Sequence, residues 1–124
     1  MRKKPASIAG LKYSTTDIVI NCIQDKKGED IVHLDLTEIR DAVADHFIIC
    51  DATSTTQVRA IGNHITEKMF EETGRQPYGK EGFDQAEWIL IDYADVVVHI
   101  FYKEKRYFYQ LGGPVVPIRI RKKS

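Results

Sequence analysis

Several residues of this 124-residue chain could carry out covalent or metal chemistry: Cys22 and Cys50, four histidines, Asp35, and the pair Asp92 and Asp95. A hydrolytic nucleophile needs a Ser or Cys with a base in reach. No Gly-x-Ser-x-Gly occurs, and both cysteines sit among apolar neighbours, as buried thiols in a reducing compartment do. Two widely spaced cysteines also make a poor zinc site. His33, His46, His64 and His99 fall on different segments, and no two have the i, i+4 spacing of a helical metal site. Two-metal nucleotidyl transfer uses strand carboxylates in an Asp-x-Asp pair beside a Gly-Ser turn. Asp35 has no such partner, Asp92 and Asp95 are three apart, and the chain contains no Gly-Ser. Gly112-Gly113 alone makes no phosphate cradle. These spacings argue for recognition rather than turnover, and no metal or cofactor is expected.

Recognition has a clearer candidate in Trp88-Ile-Leu-Ile-Asp-Tyr-Ala-Asp-Val-Val-Val-His-Ile-Phe101. The stretch reads as a β-hairpin turning at Tyr93-Ala94, because β-branched and aromatic runs flank a short polar reversal. That turn sets Ile91 opposite Val96, Ile89 opposite Val98 and Trp88 opposite His99. Side chains alternate faces with period two, so Ile89, Ile91, Val96, Val98 and Ile100 form one aliphatic face. The other face carries Trp88, Leu90, Asp92, Val97, His99 and Phe101. Large amphipathic rings mixed with a few polar atoms suit a contact surface.

The rest of the chain must hold that hairpin. Ser14-Thr15-Thr16-Asp17 starts a helix, apolar Ile18, Val19, Cys22 and Ile23 follow at helical spacing, and Gly28 stops it. Residues 30–37 alternate as a half-buried strand, and the more continuously apolar 46–52 predicts a central strand. Ser54 with Gln57 fits a capping box for a helix through Val58, Ile61, Ile65 and Met69, closed by Gly74. Residues 75–85, with Pro77, Gly79 and Gly82, read as a loop, and 104–111 as a short amphipathic helix. The order is α-β-β-α-β-β-α. It predicts a single-domain α/β (α+β) fold with a mixed sheet and helices mainly on one face, similar to nucleotidyltransferase-like folds. Residues 1–13 read as a flexible leader, 14–113 as the domain and 114–124 as a basic tail.

Formal net charge is zero but unevenly spread. Seven of the 18 basic residues (Arg2, Lys3, Lys4, Arg119, Arg121, Lys122 and Lys123) lie in the two ends, and all 18 acidic residues lie between Asp17 and Glu104, so the body carries −7. Broad nucleic-acid binding needs clustered Lys and Arg, which this body lacks; a basic protein partner suits it better. No apolar run approaches the roughly 18 residues that span a bilayer, and no signal peptide is visible. A cytoplasmic protein is expected.

Several stretches together resemble the Iojap-related ribosomal silencing factors: Asp45-His-Phe-Ile-Ile-Cys50, Ala52-Thr-Ser-Thr-Thr-Gln-Val-Arg-Ala-Ile61, Gly79-Lys-Glu-Gly82, the Trp88–Phe101 block, and Arg106-Tyr-Phe-Tyr109. The resemblance covers roughly residues 30 to 111, and the Trp88–Phe101 block is its most specific part. Two departures stand out: Ala94 where the family commonly has Gly, and a basic tail from Val115 where it has short acidic ends. The resemblance implies a non-enzymatic protein that binds the large ribosomal subunit through the fourteenth protein of that subunit. Occupying the subunit-joining face then blocks the small subunit and represses translation. It also implies a homodimer, and in organellar members a role in large-subunit assembly. Carried onto matching positions, Trp88 is the anchor. Asp92, Tyr93 and Asp95 are polar contacts at the hairpin tip, Lys80 and Glu81 are rim charges, and His99 is either an interface residue or a satisfied sheet histidine. The basic tail is a candidate for weak contact with ribosomal RNA. The alternatives are a nucleotidyltransferase-like enzyme and a large-subunit assembly factor.

Overall fold

A computed structural model describes residues 14–105. Helix α1 spans Thr15–Asp25, and a capping box starts it: the Ser14 hydroxyl accepts the Asp17 N–H, and the Asp17 carboxylate accepts the Ser14 N–H. Its apolar stripe, Ile18, Val19, Cys22 and Ile23, is buried. That burial overrides the weak helix preference of the β-branched residues at 18–20. Strands β1 (Glu29–Asp35) and β2 (His46–Ala52) follow, then helix α2 (Thr55–Thr73), which Gly74 closes at φ 78.

The α2 N-terminus differs from the expected capping box. The Ser54 hydroxyl does accept the Gln57 N–H at 3.1 Å. The Gln57 side chain, however, reaches one residue further back and accepts from the Thr53 N–H. Its amide then donates to the carbonyls of Lys26 and Lys27 at 2.9 and 3.0 Å, satisfying the end of α1. One glutamine thus ties two helix ends together.

Strands β3 (Gly79–Glu81), β4 (Trp88–Asp92) and β5 (Val96–Tyr102) complete a five-stranded mixed sheet of order β1-β2-β5-β4-β3. The β2–β5 pair is parallel and the other three pairs are antiparallel. The apolar strand at 46–52 therefore sits inside the sheet, as its composition predicts. Strand β3 corrects the loop expected over 75–85. Its three exposed residues carry no apolar pattern, and only pairing with β4 makes them a strand.

Both helices cover one face. Ile48, Cys50, Ala52, Ile89, Ile91, Val96, Val98 and Ile100 from the strands meet Val19, Ile23, Val58, Ile61, Ile65 and Met69 from the helices in one core. Both cysteines are buried as thiols, not joined in a disulfide, and burial raises the Cys22 thiol to about 12. The helix expected over 104–111 lies outside the described residues from position 106 onward, as do the leader to residue 13 and the basic tail; residues 103–105 begin a helical turn.

The β4–β5 hairpin corrects the expected register. Trp88 lies opposite Phe101, Leu90 opposite His99 and Asp92 opposite Val97. Tyr93 N–H donates to the Val96 carbonyl at 2.9 Å, so the two-residue loop is Ala94-Asp95 rather than Tyr93-Ala94. The turn moves by one residue and the pairing by two. A shift of two preserves parity, so both faces keep their predicted membership.

An aromatic sheet face as candidate functional site

The sheet face away from the helices carries Trp88, Leu90 and Asp92 from β4, Val97, His99 and Phe101 from β5, and Phe47 from β2, by alternation and register. Its centre is a set of nearly parallel rings. Trp88 and Phe101 stack at 5.8 Å with 5° between planes, and Trp88 and His99 at 5.9 Å with 8°. Phe47 leans on His99 from the neighbouring strand at 5.6 Å. The Trp88 indole N–H donates to His99 Nδ1 at 3.2 Å. Indole can only donate, so this imidazole is neutral and carries its proton on Nε2. Burial agrees, holding the His99 pKa down at about 4. Trp88 is 39% exposed, which is unusual for the largest apolar side chain of a sheet.

The flanking edge strand supplies the charges. Lys80 and Glu81 are exposed. Glu81 pairs with Leu90, which puts it on the aromatic face beside Asp92, whereas Lys80 pairs with Ile91, which turns it to the helix side of the edge and withdraws it as a rim charge of the aromatic face. The Lys80 ammonium stands 5.2 Å from the Phe83 ring centroid. Arg59 from α2 holds this segment by donating to the Phe83 and Asp84 carbonyls at 2.9 and 2.7 Å. Gly82, at φ 88, sits where a Cβ would strike the Trp88 carbonyl, so the loop can close onto β4 only with glycine there.

The hairpin tip differs from expectation. Tyr93 is 0% exposed, and its ring belongs to the core. The shifted turn pairs it with Val96 and points it inward, so it is withdrawn as a polar surface contact. Its hydroxyl has no hydrogen-bond partner among the described residues, and burial raises its pKa to about 12. Asp92 and Asp95 stay at the surface, but both build the turn. Asp92 accepts the Ala94 N–H at 2.7 Å, while Asp95 accepts from Arg75 at 2.7 Å and its carbonyl takes the N–H groups of Asp45 and His46. Arg75 also donates to the Tyr93 carbonyl at 2.9 Å and lies over its ring at 5.4 Å.

The structure therefore brings Trp88, His99 and the Glu81 and Asp92 carboxylates onto one face, and sets Asp95 apart at the tip. Sequence reasoning missed Phe47, Arg59 and Arg75. Phe47 was legible as an alternate residue of a central strand, whereas the two arginines act on segments remote in sequence and had no local signal. The carboxylates do not converge as a metal site would require. Asp35 is turned onto the Thr37 N–H and hydroxyl, and among the described residues no group of three or more His, Cys, Asp or Glu could hold a metal ion.

The family described as "Ribosomal silencing factor during starvation" matches residues 12–113. This chain belongs to that family. It is 44% identical over 98 residues to "Ribosomal silencing factor RsfS" of Bacillus subtilis, covering 79% of this chain and 81% of the relative. A crystal structure of a protein from Bacillus halodurans aligns with a TM-score of 0.69 at 38% identity, covering 82% of this chain and 95% of that one. A mouse protein named "Mitochondrial assembly of ribosomal large subunit protein 1" is 29% identical over 111 residues, 86% of this chain and 47% of its own length. The aromatic face and its charged edge thus belong to a member of the ribosomal silencing factor family. No helix among the described residues is long and apolar enough to cross a membrane.

Proposed function

We propose that this silencing factor binds the large ribosomal subunit on its subunit-joining face, excludes the small subunit by steric overlap, and so represses translation in the cytoplasm. The contact is with the fourteenth protein of the large subunit, and Trp88 is the anchor. The observation that carries this reading is the exposed, ring-stacked Trp88 on a sheet face that also carries Glu81 and Asp92, in an acidic body. A basic ribosomal protein matches that charge, which speeds encounter and sets orientation. Buried aromatic anchors supply most of the affinity at such contacts. Glu81 acts as a rim charge, Asp92 as a polar contact, and Asp95 as a support of the tip. The protein acts by occupancy and uses no cofactor. We further propose that it works as a homodimer and that the basic tail brushes ribosomal RNA.

Sedimentation with isolated large and small subunits tests this reading. Wild type should travel with large subunits alone. Trp88→Ala should fold normally and bind at least about thirtyfold more weakly, the equivalent of a 2 kcal/mol anchor. Normal binding by a folded Trp88→Ala protein would refute the assignment.

A further inference from the structure

Trp88 begins β4, and its ring lies on the sheet surface instead of in a pocket. An exposed indole normally samples several rotamers, and freezing one on binding costs affinity. Here the ring is already held. Its N–H is taken by His99 Nδ1, a residue diagonal to it across the β4–β5 pair. His99 is itself clamped: Phe47 leans on it from β2, Phe101 stacks at 6.3 Å along β5, and Leu90 and Ile49 flank it in the register. The residue opposite Trp88 is Phe101, which offers a face but no acceptor. His99 is half-buried and less exposed than Trp88.

We propose that His99 is a positioning residue: it accepts the Trp88 indole N–H and fixes the indole in its binding orientation, contributing to recognition through Trp88 rather than by its own contact. The inference rests on the reading of Trp88 as the anchor. It gives His99 a role between the two that the sequence leaves open, a sheet histidine satisfied by Trp88 that serves the interface through that residue. Only an acceptor at the Nδ1 position serves this purpose. Asparagine can place its amide oxygen near that point, whereas phenylalanine keeps a flat ring and loses the acceptor. The stacking and hydrogen-bonding parts are therefore separable by substitution.

Trp88 is the chain's single tryptophan, so one indole N–H resonance reports its state. The experiment combines that resonance with binding of the full chain to isolated large subunits. His99→Asn should keep the indole N–H downfield and protected from solvent exchange. His99→Phe should move it upfield, speed its exchange, and weaken binding about fivefold, the worth of one neutral hydrogen bond. In a Trp88→Phe background, which lacks the donor, His99→Phe should add no further loss. An indole resonance unmoved by His99→Phe would overturn the proposal. So would a full additional loss of binding in the Trp88→Phe background, because His99 would then act by its own contact. Normal subunit binding by Trp88→Ala would remove the anchor reading and the presenting role with it. The indole resonance would still report separately whether His99 holds the ring.

Discussion

Replacing Ala94 with glycine should stabilise the protein, because Ala94 holds a left-handed backbone at φ 78 at the tip of the recognition hairpin. The Asp95 N–H bonds back to the Tyr93 carbonyl at 2.9 Å, and the Asp92 carboxylate takes the Ala94 N–H at 2.7 Å. These bonds, with Arg75 on the Tyr93 carbonyl, force the dihedral. A left-handed conformation costs an L-residue about 1–2 kcal/mol, from crowding between Cβ and the following carbonyl. Glycine avoids that crowding but gives back about 0.5–1 kcal/mol through its freer unfolded chain. Ala94 is exposed, so deleting its methyl removes little packing. The net expectation for Ala94→Gly is a gain of about 0.5–1 kcal/mol, or a Tm higher by about 2–5 °C. Urea denaturation should show a higher midpoint with an unchanged m-value. Ala94→Val should shift the midpoint the other way, because a β-branched residue tolerates positive φ least. A glycine variant no more stable than wild type would refute a strained Ala94, and with it this description of the turn.

Tyr93→Phe should raise stability by about 1 kcal/mol, since it removes a buried hydroxyl with no partner among the described residues; a loss of stability in thermal unfolding would show that the hydroxyl is satisfied. Arg75→Ala should lower stability by about 2 kcal/mol in urea titration, mostly from the lost charge-assisted bond to the Tyr93 carbonyl, because the partly exposed pair with Asp95 contributes little. The His99 pKa falls from 6.5 to about 4 on folding. The unfolded chain therefore binds the extra proton first, and this contribution is whole above pH 6.5 and lost as pH falls toward 4, on the order of 3 kcal/mol in all. Wild type should lose stability relative to His99→Phe as pH falls across that window, and a pH-independent difference would show that His99 titrates as it does in water.

The two faces of the hairpin were legible in the residues, although the register was not. Alternation places Ile89, Ile91, Val96, Val98 and Ile100 together whichever even register the strands adopt. Tyr93 shows the limit of that reasoning. Beside Ala94 and between two aspartates it looks like a loop residue, and only the competition among possible turns decides that it pairs with Val96 and enters the core. The segment at 79–81 was likewise invisible as a strand, because its pairing with β4 owes nothing to its own side chains.

Local periodicity and capping chemistry are short-range physics, carried by neighbouring residues, and they determined α1, α2, the inner strand β2 and the unlike faces of the hairpin. Membership in the silencing factor family was also legible, through the Trp88–Phe101 block. Tertiary structure alone decided which nitrogen of His99 faces Trp88, which carboxylates remain available at the surface and which are spent on Arg75 and Ala94. It also decided how Gln57 joins two helix ends. Each of these depends on groups brought together from distant parts of the chain, where register and packing, rather than residue type, set the distances.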